Sequence, residues 1–210
     1  MSAILEQIET KIHSSIKTSD GLPIRRISVK DYEKMIDIGI FDGEDRVELL
    51  DGVIVEMSPK KTRHANVNDE AAEFLIVTFA GRAVIRNQNP VVLDDFSEPE
   101  PDIVIARPPR SNYNQKHPTG ADILLVVEIS DTTVAKDRRK ALNYARAGIA
   151  QYLLFNLNTD EIEDYREPSA DGYRFKQTHD RAATFNLVAF PEIEVKTDAL
   201  FPPQSEEEIP

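Results

Sequence analysis

Ile123-Leu-Leu-Val-Val-Glu-Ile129 places six apolar residues around one glutamate. A strand with one face in water alternates apolar and polar residues. This run does not alternate, so it reads as a central strand buried on both faces. Just downstream, Ala135 to Ala147 is a basic helix stopped by Gly148, and Gln151 to Asn156 is a second apolar strand. Strand, helix, strand implies a right-handed crossover if the two strands run parallel. Upstream, strand candidates lie at Ala83 to Arg86, Val91 to Leu93 and Pro101 to Ala106. Before them, Val67, Ala71, Phe74, Leu75 and Phe79 recur at helical spacing within Arg63 to Ala80. That amphipathic helix is expected to cover one face of the sheet. Further out, Arg46 to Leu50 and Val53 to Met57 flank Asp51-Gly52, a hairpin turn signal, and Ser28 with Asp31 opens a short helix. Ile162 to Arg166 and Tyr173 to Gln177 read as a hairpin extending one edge. These elements give an α/β fold class.

The length of 210 residues suits one domain with a substantial core. Residues 1 to 22 read as a polar N-terminal helical arm ending where Gly21 and Pro23 break the pattern. The domain spans 23 to 203, and 204 to 210 reads as a disordered acidic tail with three glutamates. Hydrophobic residues make up 40% and charged residues 30% of the chain, an ordinary globular profile. No apolar stretch reaches membrane-spanning length, and the N-terminus has no basic region followed by an apolar run, so a cytoplasmic location is expected. The absence of cysteine removes disulfides, thiolate zinc sites and cysteine nucleophiles. A net charge of −12 argues against grip on nucleic acid through many phosphates, unless basic side chains gather on one face.

Two acids sit at strand ends. Asp102 opens the apolar run Ile103-Val-Ile105, and Glu128 closes the central one. On neighbouring strands their carboxylates converge. With a backbone carbonyl such as that of Ile129 and several waters, they suit Mg²⁺ or Mn²⁺. The plain alternative is that Asp102 caps a strand start and Glu128 pairs with a basic residue of the following helix. No glycine-rich phosphate loop, nucleophile elbow or His-Glu-x-x-His pattern is present.

Several blocks in order, Arg46-Val-Glu-Leu-Leu-Asp-Gly-Val-Ile-Val-Glu-Met-Ser-Pro59, His64, Pro99-Glu-Pro-Asp-Ile-Val-Ile105, Val127-Glu-Ile-Ser-Asp-Thr-Thr133, Tyr144-Ala-Arg-Ala-Gly-Ile149 and Leu200-Phe-Pro202, resemble the Uma family of restriction-endonuclease-like proteins. The resemblance runs from about residue 24 to residue 203 and implies a restriction-endonuclease-like fold, a central mixed β-sheet flanked by helices, with a variant PD-(D/E)xK signature. Pro101-Asp102 matches its PD and Glu128 its (D/E). Ser130 stands where the lysine is ordinarily found, and the family pattern moves that lysine to the next helix, where Lys140 matches. The spacing from Asp137 is three residues rather than the family's four, so Lys136 or Arg138 is an alternative. Lys136-Asp-Arg-Arg-Lys140 also reads as a solvated basic face. Glu48 is either a third acid near the metal or half of a cross-strand pair. His64 is either a contact to phosphate or metal or a surface group, and His13, His117 and His179 read as surface residues.

The resemblance thus implies a Mg²⁺-dependent or Mn²⁺-dependent DNA endonuclease that hydrolyses phosphodiesters, with Asp102 and Glu128 on the metal, Lys140 positioning water, Ser130 lining the site, and a homodimer as the assembly. Two rival readings stand beside it. One is a nuclease-fold binding module without the chemistry, and the other is a nuclease acting on RNA or a small phosphodiester.

Overall fold

The computed structural model of the chain describes residues 20 to 42 and 44 to 202. The expected arm, but for its last three residues, and the acidic tail lie outside the described residues, as does His13.

The central sheet has six strands. They are β3 (Val84–Asn87), β4 (Ile103–Ala106), β5 (Ile123–Ser130), β6 (Gln151–Asn156), β7 (Glu161–Ser169) and β8 (Gly172–His179), hydrogen-bonded in that order. Only β5 and β6 are parallel, joined by helix α3 (Val134–Arg146); the other neighbours are antiparallel. The sheet is therefore mixed, and β5 is central. Its residues are buried on both faces, as an unbroken apolar run requires.

Successive residues of β5 point to opposite faces, which sorts the core into two layers. Leu125, Val127 and Ile129 pack with Val67, Ala71, Leu75 and Phe79 of α2 (Thr62–Thr78). Val126 packs on the other face with Ala141 and Tyr144 of α3 and with Tyr152 and Leu154 of β6. Glu128 belongs to the α3 side by the same alternation. Gly148, at φ +75°, ends α3, and its neighbour Ile149 returns an N–H to the Tyr144 carbonyl.

Outside the sheet, α1 (Val29–Asp37) is capped by the Ser28 hydroxyl, which accepts from the Asp31 N–H. Strands β1 (Val47–Leu50) and β2 (Val53–Glu56) form the expected hairpin. Asp51 and Gly52 both take positive φ, 51° and 81°, which is the backbone a two-residue turn of this hand needs. This hairpin places Glu48 over the end of the main sheet.

Two readings of the sequence change here. Val91 to Leu93 is no strand: it makes one isolated bridge, Val92 to Thr119, and its amides bond in turn to the carbonyls of Pro99, Pro118 and Ser97 rather than along one ladder. A further hairpin, β9 (Thr184–Leu187) with β10 (Phe190–Lys196), closes the α2 face through Phe185, Leu187, Phe190 and Val195. Pro191 and five polar or charged positions in and around it hide this hairpin from a search for apolar runs.

Candidate active site

Because β4 runs antiparallel to β5 with Ile103 opposite Val127, the residue before β4, Asp102, falls beside the end of β5. There the Ile129 N–H donates to Asp102 Oδ2 at 2.8 Å, and His64 Nε2, from the first turn of α2, lies 3.2 Å from the same oxygen. Two donors thus hold Oδ2. Asp102 Oδ1 faces only the Lys60 ammonium, 4.0 Å away.

Glu128 is held from the other side by α3. Lys140 Nζ donates to Glu128 Oε1 at 3.0 Å, and the Tyr144 hydroxyl donates to the same oxygen at 2.6 Å. Lys140 also forms an ion pair with Glu48 Oε2 at 2.8 Å, and Lys136 forms one with Glu48 Oε1 at 2.9 Å. One helix reaches both carboxylates because Lys136, Lys140 and Tyr144 are four residues apart and so share a face. Asp137 accepts from the Thr133 hydroxyl at 2.7 Å, which ties the start of α3 to the end of β5 through Ser130.

Burial shapes the charges. It pushes the Glu128 carboxyl upward, reinforced by Asp137, Asp102 and Glu48 and only partly offset by Lys140. Burial works against the charged form of Lys140, but Glu128, Glu48 and Asp137 outweigh it and hold the ammonium protonated well above its ordinary range. For Glu48, the two lysines overcome burial and keep the carboxyl below its usual value. Lys140 is consequently a donor and a positive charge, not a base.

Glu48, Asp102, Glu128, Ile129, Lys136 and Lys140 all line one cleft, roofed by the segment Met57 to Lys61. The structure thus brings together Asp102, Glu128, Ile129, Lys140 and Glu48. Lys140 is 4% exposed, so it is no part of a solvated face, and Glu48 faces α3 rather than its cross-strand partner Val55. Arg138 points away, onto Glu163 of β7, whereas Lys136 reaches the cleft. Ser130 is fully buried and bonds Thr133 instead of lining the wall. His179 is a correction of another kind: it is 3% exposed, stacked on Phe185 and 3.2 Å from Asp164. Tyr144 was given no role in the sequence reading. The four-residue step from Lys140 was the signal that could have found it.

The donor chemistry suits a hard divalent cation. Asp102 and Glu128 line the same cleft beside Ile129, and Asp102 Oδ1 and Glu128 Oε2 carry no hydrogen bond. Among the described residues no three acidic or imidazole side chains form a ready-made cage. Two carboxylates, water and a substrate phosphate are nevertheless the usual shell of Mg²⁺.

A family model described as "Putative restriction endonuclease", Uma2, matches residues 29 to 198. The chain belongs to the Uma2 family. Its fold agrees with a crystal structure described as "a putative nuclease belonging to DUF820" from Anabaena variabilis ATCC 29413. The two share 16% identity at a TM-score of 0.66, and the match covers 83% of this chain and 97% of that one. Among proteins of curated description none matches. The Uma2 match spans all the cleft residues named above, from Glu48 to Lys140, together with Tyr144 behind them, and among the described residues no helix is long and apolar enough to cross a membrane.

Proposed function

We propose that this Uma2 protein is a metal-dependent endonuclease that hydrolyses phosphodiester bonds of DNA in the cleft between β1, β4, β5 and α3. The observation that carries this reading is the pair of strand-end carboxylates, Asp102 and Glu128, which line the same cleft, each with one oxygen held by protein donors and the other without a hydrogen bond. A divalent cation, Mg²⁺ or Mn²⁺, held by Asp102, Glu128 and the Ile129 carbonyl would polarise the scissile phosphate and lower the pKa of an attacking water.

The chain's own residues do the rest. The Ile129 N–H and His64 fix the orientation of Asp102, so its open oxygen does not rotate away. Tyr144 and Lys140 do the same for Glu128. The Lys140 ammonium, kept protonated, orients the water through its lone pair and steadies the charge that builds on the phosphate oxygens. Water then forms the new P–O bond, the bond to the leaving sugar oxygen breaks, and the water proton passes to solvent as the sugar oxygen takes one up. Lys136 adds a second positive charge at the same wall, where a net charge of −12 would otherwise repel a polyanion. Cutting both strands of a duplex needs two such clefts, which a homodimer would supply.

The test is cleavage of supercoiled and linear DNA with Mg²⁺ or Mn²⁺, beside Asp102→Ala, Glu128→Ala and Lys140→Ala. Loss of cutting in all three supports the reading. Cutting that survives them overturns it, cutting confined to RNA changes the substrate, and no cutting by the parent protein leaves a nuclease-fold binding module.

A further inference from the structure

On the other side of Glu100 from this cleft lies a second cavity, of about 1220 Å³ counting the solvent at its mouth. Glu100 stands in the wall of both. The second cavity is framed by α1, the loop that follows it, β1 and the segment before β4. Its character is the opposite of a phosphate site. Glu33, Asp37, Asp42 and Asp45 ring it, and among the described residues that line it there is no lysine or arginine.

The decisive group is Glu98. It is 4% exposed, it lines the cavity, and its Oε2 has no hydrogen-bond partner. Its other oxygen is 3.7 Å from His117 Nε2, beyond hydrogen-bond reach, and His117 Nδ1 is turned to Arg86. A buried carboxylate left this way is destabilising unless a cation or a proton answers it. Burial, with Glu33 adding to it, pushes the Glu98 carboxyl up to about 7.

The walls say which cation fits. Tyr32 and Phe41 face the cavity with ring centroids 5.8 Å apart and planes tilted by 52°, and Val47 and Ile36 continue the apolar lining. Aromatic faces beside a desolvated carboxylate favour a weakly hydrated organic cation, which gains cation–π attraction and loses little hydration on entry. A strongly hydrated metal ion would gain nothing from these aromatic faces and aliphatic walls, which offer it no oxygen ligand.

We propose that this cavity binds an organic cation, an alkylammonium or alkylguanidinium group, which pairs with Glu98 and lies against Tyr32 and Phe41. The site is separate from the nuclease chemistry, and its occupancy does not depend on that reading. The cation arrives either as a small amine or as a lysine or arginine side chain of another protein.

The experiment is isothermal titration of the full chain with butylammonium, butylguanidinium and a capped Gly-Arg-Gly peptide in about 0.15 M salt, where diffuse attraction is screened beyond roughly 8 Å. Wild type is compared with Glu98→Gln, Phe41→Leu and, as a surface-acid control, Glu73→Gln. Saturable binding is expected in wild type and Glu73→Gln, weakened at least about tenfold in Glu98→Gln, the loss of one charge-assisted pair. Phe41→Leu should weaken it less. A peptide that binds more tightly than butylguanidinium identifies a protein side chain as the source, and the reverse identifies a small amine. Thermal melts of each variant report that it folds. Binding that is non-saturable, or equal in wild type and Glu98→Gln, overturns the proposal, as does displacement of the organic cation by millimolar Mg²⁺.

Discussion

The Lys140 ammonium, on the buried face of α3, lies 3.0 Å from Glu128 Oε1 at the end of β5. It is the cation between two carboxylates that are themselves 1% and 5% exposed. Removing one member of a buried ion pair leaves the other charge uncompensated, at a cost of about 3–5 kcal/mol. Lys140→Met should therefore lower stability by about that amount in urea unfolding, and adding Glu128→Gln should restore part of it. An unchanged unfolding midpoint in Lys140→Met would mean that the pair does not hold α3 to the sheet.

Lys136 and Arg138 flank the same helix turn but serve different walls. Lys136 faces Glu48 in the cleft, and Arg138 is bound to Glu163 on β7. DNA cleavage should fall in Lys136→Ala, by less than in Lys140→Ala, and stay at the parental rate in Arg138→Ala. A loss in Arg138→Ala equal to that in Lys140→Ala would contradict this division.

Tyr144 donates to the oxygen of Glu128 that Lys140 also holds. Hydrogen bonds to charged groups are worth about 1.5–3 kcal/mol, so Tyr144→Phe should destabilise the chain within that range. If the hydroxyl positions Glu128, the variant should also need more Mn²⁺ to reach half-maximal cleavage, whereas a purely structural contact would leave that requirement unchanged.

Glu98 sets a pH dependence whose sign runs opposite to that of a salt-bridged acid. Its folded pKa, raised by burial to about 7 from an ordinary 4.5, means that the native chain keeps a proton the unfolded chain has released between those values. Stability from this group is full below 4.5, declines as pH rises through 7 and levels off above. Glu98→Gln should flatten that decline, so its melting temperature relative to wild type rises between about pH 5 and about pH 8. The same slope in both proteins would assign the decline to other groups.

Gly120 abuts the end of α3, where an added Cβ would stand 2.3 Å from the Ala147 carbonyl oxygen. Gly120→Ala must push the β5 entry and the α3 terminus apart, and overpacking of this kind costs about 1–3 kcal/mol. Gly148→Ala meets no neighbour but must hold φ at +75°, a cost of about 1–2 kcal/mol. Chemical denaturation of the two variants separates the steric effect from the backbone one.

Much of this molecule was legible before any coordinates. The unbroken run of β5, the 3.6-residue spacing of α2 and the Asp51-Gly52 turn each report a local preference or a burial pattern, and each element formed where expected. The acids at 102 and 128 were also legible, because a charge at the end of an apolar strand stands out. Other readings failed where the deciding contact is distant in sequence. Val91 to Leu93 has strand-forming side chains, but the Val92 amide is claimed by the Pro118 carbonyl far along the chain, and its two neighbours by Pro99 and Ser97. His179 looks polar in its segment, yet Asp164 and Phe185 bury it.

The sequence by itself determined the central strand, the layering of helices on the sheet and which carboxylates stand at strand ends, since periodicity and composition act over a few residues. Only the tertiary structure decided that Glu48 shares Lys140 with Glu128, that Lys136 rather than Arg138 enters the cleft, and that Glu98 is buried with one oxygen lacking a hydrogen bond among the described residues. Those outcomes depend on the register of β4 against β5 and on the angle at which the β1–β2 hairpin meets α3. Both are set by the packing of the whole core, which no local stretch encodes.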